Sequence, residues 1–116
     1  KEKKGSIINI SSSAAYENNE GRSAYASAKS SIITLSKVLA KEVGKKNIRV
    51  NVVSPGLTNT SMLRDSSTQN FINEKIDQIS LKRIAEPTEI SKVILFLASD
   101  LSSYVTGEVI KVDGGL

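Results

Sequence analysis

"SAYASAKSSIITLSKVLAKEVGKKNIRVNVV", from Ser23 to Val53, changes its periodicity once. From Ser23 to Val43 the apolar residues Tyr25, Ala28, Ile32, Leu35, Leu39 and Val43 recur at spacings of three and four, which predicts a helix with one apolar stripe. Gly44 is a plausible C-cap, and Lys45 and Lys46 follow where the helix dipole favours cations. "IRVNVV" (Ile48–Val53) then reads as a strand, stopped by "SPG". Upstream, "SIINIS" (Ser6–Ser11) is a second β-branched run; its apolar residues do not alternate cleanly, as in a strand covered on both faces. The unit is therefore strand, helix, strand. Such units cross over right-handedly and build a parallel sheet.

The same reading extends outward. Ser11–Arg22 is expected to be a loop, and so is the Thr- and Ser-rich stretch Leu57–Thr68, here a mobile one. A short helix is expected over about Gln69–Ile79. "EPTEISKVILFLAS" opens with Pro87 in its first turn and Glu89 soon after, a helix start. Its stripe is Ile90, Val93, Ile94, Leu97 and Ala98. "EVIKVD" is a last strand, closed by Gly114 and Gly115. The fold class is α/β: three parallel strands with flanking helices, the first strand offering an edge open to pairing.

Composition narrows the chemistry. The chain has 116 residues, 12 of them lysine, with no cysteine and no histidine. Disulfides, thiolate or imidazole metal sites and a Ser-His-Asp triad are excluded, and no metal site is expected. No apolar run is long enough to cross a membrane, and none resembles a signal peptide. A soluble cytoplasmic protein is expected. The net charge is +4, but the lysines are scattered and aromatics make up 4% of residues, so nucleic-acid binding is not expected. The chain starts at Lys1 and runs almost at once into a strand, as a piece of a longer polypeptide would.

Tyr25 and Lys29 are four residues apart and share a helix face. A phenol is a poor acid or base at neutrality, but a nearby ammonium favours the phenolate. A tyrosine with a lysine one turn on is thus a compact proton donor. Ser11, Ser12 and Ser13 end the preceding strand, and strand alternation does not choose among them.

The segment resembles the active-site helix of the short-chain dehydrogenase/reductase family, whose signature is Tyr-x-x-x-Lys. That family places a catalytic serine thirteen residues before the tyrosine, which selects Ser12. "NVVSPGLTNTSM" (Asn51–Met62) is similar to the family's Pro-Gly segment beside the nicotinamide. The resemblance implies catalytic roles for Ser12, Tyr25 and Lys29. It implies cofactor contacts for Tyr25, Lys29, Pro55, Gly56, Thr58 (through its backbone) and Thr60 (through its hydroxyl). "LASDLSSYVTGEVIKVDGG" (Leu97–Gly115) follows the family's last helix, last strand and Asp-Gly-Gly ending, a structural and subunit-contacting region.

These matches cover nearly the whole chain and resemble only the C-terminal half of a Rossmann-like doubly wound sheet. The Gly-rich dinucleotide fingerprint, the residue that selects NAD or NADP and the asparagine of the catalytic tetrad are absent. The implied protein is an oxidoreductase that uses NADP or NAD to interconvert a carbonyl and a secondary alcohol. Its tone is closest to 3-oxoacyl-[acyl-carrier-protein] reductases of fatty acid biosynthesis, acting on a small or acyl-carrier-bound carbonyl. Sugar, steroid and small-alcohol dehydrogenases of the family stay open. A homo-oligomer, dimer or tetramer, is expected. Residues 1–116 alone are expected to be inactive, and a non-catalytic interaction fragment is the alternative.

Overall fold

The computed structural model describes residues 4–116. The elements run β1 (Gly5–Ile10), α1 (Ala14–Glu17), α2 (Ser23–Val43), β2 (Ile48–Pro55), α3 (Ser61–Ser66), α4 (Gln69–Gln78), α5 (Pro87–Ala98) and β3 (Val109–Val112), with single 3₁₀ turns at Gly44–Lys46 and Asp100–Ser102. The three strands form one parallel sheet in the order β1-β2-β3. Gly5 stands opposite Ile48 in the first pair, and Val52 opposite Val109 in the second.

Side chains at odd separations along a strand point to opposite faces. On β1, Asn9 Nδ2 donates to Ser36 Oγ of α2 at 2.8 Å, while Ser6 Oγ donates to the Leu97 carbonyl of α5 at 2.8 Å. The two long helices therefore cover opposite faces. The central strand is buried between them, with Val50, Val52 and Val53 fully enclosed. Each such side chain contributes about 1.5–3 kcal/mol of burial.

Helix α2 has the expected span, and Ile32, Leu39 and Val43 of the expected stripe are partly buried, but the inward face is rotated away from the stripe's other half. Its buried residues are Ser36 and Ala40, and small side chains there let the helix lie close to the sheet. Leu35, expected in the core, is 60% exposed, and Ala28 and Tyr25 are exposed as well. In α5, Ile90, Val93, Ile94 and Leu97 turn inward as expected, but Ala98 is exposed. β1 is less covered than a strand sealed on both faces, with Ile7 and Ile10 partly exposed.

Two expected loops contain helix. The loop after β1 includes α1. The Leu57–Thr68 segment includes α3, which Thr60 starts by accepting the Leu63 amide at 3.2 Å. A single six-residue helix shows little hydrophobic period, so only its cap could have announced it. β2 also runs two residues beyond the expected stop. Pro55 has no N–H to give, but its carbonyl accepts the Ser13 amide at 2.9 Å. Helix α5 starts as expected: Glu86 and Glu89 form a capping box. Arg83 also grips Glu89 through both terminal nitrogens at 2.7 Å, which with the Glu86 amide holds the Glu89 carboxyl at about 2.

Two polar residues of β2, Asn51 fully buried and Arg49 partly so, were not anticipated from the sequence. Asn51 of β2 donates to the Val105 carbonyl at 2.9 Å and accepts the Glu108 amide at 3.1 Å. Arg49 reaches four acceptors beyond the end of α5. A charge inside the apolar run "IRVNVV" was the available signal.

Candidate active site

The carboxyl ends of β1 and β2 open onto a cleft of about 580 Å³. In open parallel sheets, that end of the strands is where ligands are held. Ser12, Tyr25 and Gly56 line it together with residues of α3 and α4.

The three serines after β1 separate by what their hydroxyls do. The ladder to β2 continues past β1: the Ser11 amide reaches the Val53 carbonyl and the Ser13 amide the Pro55 carbonyl, each at 2.9 Å. Ser11 is buried, and its hydroxyl donates to the Lys29 carbonyl at 2.8 Å. The Ser13 hydroxyl donates to Glu17 Oε1 at 2.6 Å. The Ser12 hydroxyl accepts the Ala14 amide at 3.2 Å and borders the cleft. Ser13 also lines the cleft, but its hydroxyl and that of Ser11 are spent on protein acceptors, whereas the Ser12 hydroxyl donates to none among the described residues.

Tyr25 sits in the first turn of α2 and is 44% exposed, so its phenol is accessible from the cleft. The Lys29 ammonium lies 5.8 Å from the Tyr25 ring centre and 3.4 Å from the Ile10 carbonyl, to which it donates. The Ser11–Lys29 bond ties this turn of α2 to the end of β1. Lys29 stands behind Tyr25 rather than on the cleft wall.

The Pro55–Gly56 turn forms another side. Gly56 lines the cleft, whereas Pro55, Thr58 and Thr60 follow the same segment without lining it. Thr58 bridges to Ala85, and its hydroxyl donates to the Gly56 carbonyl at 3.0 Å. The Thr60 hydroxyl oxygen caps α3, so any ligand contact would use its proton. A Cβ on Gly56 would lie 2.7 Å from Asp113 Cα and 2.8 Å from Asp113 Cβ. The opposing atoms include backbone, so Gly56→Ala must push the turn from the end of β3. We expect a loss of about 1–3 kcal/mol, read as a lowered melting temperature. An unchanged melt would refute this packing.

The donor set suits a nicotinamide dinucleotide. The Lys29 ammonium keeps donors beyond its one long bond, and the Ser12 and Tyr25 hydroxyls lie on one cleft. Among the described residues no group of His, Cys, Asp and Glu could hold a metal ion.

Sequence reasoning did not single out Glu17 and Lys75, which meet on the cleft wall at 2.6 Å. Burial pushes the Glu17 carboxyl up, but hydrogen bonds from Lys75, Ser13 and Asn19 outweigh it and hold the group below its ordinary value. They are 58 residues apart, so no local pattern pairs them.

A family model described as enoyl-(acyl carrier protein) reductase matches residues 1–116. The chain is 50% identical to the 3-oxoacyl-[acyl-carrier-protein] reductase FabG of Chlamydia trachomatis, covering 100% of this chain and 46% of that protein. It is 45% identical to the Thermotoga maritima enzyme of the same name, covering 100% and 47%. The chain thus spans about half the length of the curated relatives it matches. Among solved structures, a 7α-hydroxysteroid dehydrogenase complexed with NADH and 7-oxo glycochenodeoxycholic acid superposes with a TM-score of 0.93 at 34% identity, over 96% of this chain and 44% of that one. The 3-oxoacyl-[acyl-carrier protein] reductase of Brucella melitensis gives 0.88 at 36% identity, over 96% and 41%.

Proposed function

This chain belongs to the short-chain dehydrogenase/reductase family, and from that premise we propose that it carries the catalytic residues of an NAD(P)-dependent oxidoreductase acting on a carbonyl and its secondary alcohol. The observation that carries the reading is the shared cleft of Ser12 and Tyr25, with the Lys29 ammonium beside the Tyr25 ring. A nicotinamide dinucleotide, when bound, supplies or accepts the hydride. In reduction, negative charge grows on the carbonyl oxygen. The Tyr25 hydroxyl donates its proton to that oxygen. The Ser12 hydroxyl donates a hydrogen bond to it and holds it in line. Lys29 stabilises the phenolate left behind and offers its remaining donors to ribose hydroxyls. The Pro55, Gly56, Thr58 and Thr60 segment would hold the nicotinamide, with Gly56 on the cleft wall itself.

The substrate we favour is a 3-oxoacyl thioester on an acyl carrier protein. The names of the relatives support it, and so does the apolar wall of Met62, Leu63 and Phe71, suited to an acyl chain. The high TM-score to the hydroxysteroid dehydrogenase gives a steroid as the second reading. We further propose that residues 1–116 are the C-terminal half of the catalytic domain, inactive alone, within a homo-oligomer. The exposure of Leu35, Val38, Leu95 and Tyr104 supports a surface that needs covering.

The test is oxidation of NADH and NADPH by the complete protein, given a 3-oxoacyl thioester or a 7-oxo steroid. We expect thioester-dependent oxidation, and a fall of about 10²-fold in Ser12→Ala, the loss typical of one oxyanion donor. No oxidation with either substrate would overturn the reading.

A further inference from the structure

Helix α4 is fixed to the body at one end. Ile79, just past its last turn, is buried against Gly114. The Leu81 amide donates to the Gly114 carbonyl at 3.0 Å, and the Ser80 hydroxyl to the Gly115 carbonyl at 2.8 Å. Its other end, Gln69 to Phe71, is exposed. Ile72, Lys75, Ile76 and Ile79 share one face by their spacing of three and four, and all are at least half-buried. Lys75 is the only charge on that face.

Lys75 meets Glu17, the last residue of α1, in an ion pair whose side chains are 15% and 18% exposed. The other two ion pairs among the described residues, Lys4–Asp100 and Arg83–Glu89, are far more open to solvent. The Glu17 carboxylate is also fully engaged: Oε1 accepts the Ser13 hydroxyl at 2.6 Å, and Oε2 accepts Asn19 Nδ2 at 2.7 Å. Ser13 adjoins Ser12. One carboxylate therefore joins α4 to the serine loop. A sheltered pair of this kind differs from a surface pair, because removing one partner strands the other charge away from water.

We infer that Glu17 and Lys75 are a latch that holds α4 closed over the cleft and ties its position to the loop bearing Ser12. The inference rests on the proposed function, since it makes both side chains positioning residues for that reaction. Without the latch, α4 swings about its anchored end at Ile79, and the wall carrying Phe71 moves away from Ser12 and Tyr25. The ligand then loses contacts on one side, while the Ser12–Tyr25–Lys29 group keeps its own supports.

The test compares the complete protein with Lys75→Met, Glu17→Gln and Lys75→Arg, by hydrogen exchange of the amides from Gln69 to Gln78. We expect Lys75→Met and Glu17→Gln each to speed exchange about tenfold, between the effects of losing an exposed and a buried pair. Lys75→Arg should stay near the native rate, because it keeps the charge. Native exchange in Lys75→Met overturns the latch, and so does Lys75→Arg exchanging as fast as Lys75→Met. With a working substrate, Lys75→Met should raise KM by a larger factor than it lowers kcat; the reverse overturns the positioning role. A native protein that turns nothing over defeats the proposed function, while the exchange comparison still judges the latch.

Discussion

Turnover by the complete protein is expected to fall about 10³-fold in Tyr25→Phe, within the range a positioned general acid supplies. The substitution removes one oxygen and keeps the ring over which Lys29 sits. Tyr25 is 44% exposed in the first turn of α2, so losing its hydroxyl opens no buried cavity. Stability should therefore stay within about 0.5 kcal/mol of native, as for ordinary surface substitutions. The loss should lie in kcat, because the proton is handed over only as charge develops on the substrate oxygen. Steady-state kinetics beside a melting curve separates the two effects. Native kcat in a folded Tyr25→Phe protein would remove Tyr25 from the chemistry and the proposed mechanism with it.

Arg49→Met is expected to lower stability by about 3 kcal/mol, an estimate from stranded buried acceptors at ~1–3 kcal/mol each. From β2 the guanidinium donates to the Ser102 hydroxyl at 2.9 Å and to the carbonyls of Leu97 at 2.9 Å, Ser99 at 3.1 Å and Val105 at 3.4 Å. These acceptors gather where α5 ends and the chain turns toward β3. Leu97 and Ser102 are fully buried. Some acceptors keep a second donor, since the Leu97 carbonyl also takes the hydroxyls of Ser6 and Ser102, and this holds the estimate below the sum. Arg49→Lys should recover little, because one ammonium cannot span four acceptors that a planar fork reaches together. Urea denaturation measures the difference. A change under about 1 kcal/mol in Arg49→Met, the worth of a surface contact, would show that this network is not what closes the fold.

Much of the fold was legible because its cues are local. Residues 23–43 show a helical period, and the observed helix has those bounds. Pro87 and Glu89 announce α5, and the alternation of strand and helix implies the parallel sheet that forms. Periodicity does not say which side of a helix meets the sheet. In α2 the larger apolar residues mark one stripe, yet Ser36 and Ala40 go inside, because close approach to β2 rewards small volume over hydrophobicity. Helix α3 was hidden for a related reason: a short helix is stabilised by its Thr60 cap and its surroundings, not by a repeat.

The candidate site divides along the same line. The chain alone dictates that Tyr25 and Lys29 share a helix turn, since four residues make slightly more than one turn wherever that helix packs. It also dictates that a serine stands at the end of β1. Which serine hydroxyl keeps its proton uncommitted depends on partners: the Lys29 carbonyl, 18 positions away, engages Ser11, and Glu17, itself held by Lys75 from 58 positions away, engages Ser13. Bonds such as Lys75–Glu17 and Arg49–Val105 join residues more than 50 positions apart. They form only when the parallel strands close side by side, Lys75–Glu17 beyond their carboxyl ends and Arg49–Val105 near their amino ends. Spacing along a chain governs what one element can do by itself, and only packing decides which elements share a surface.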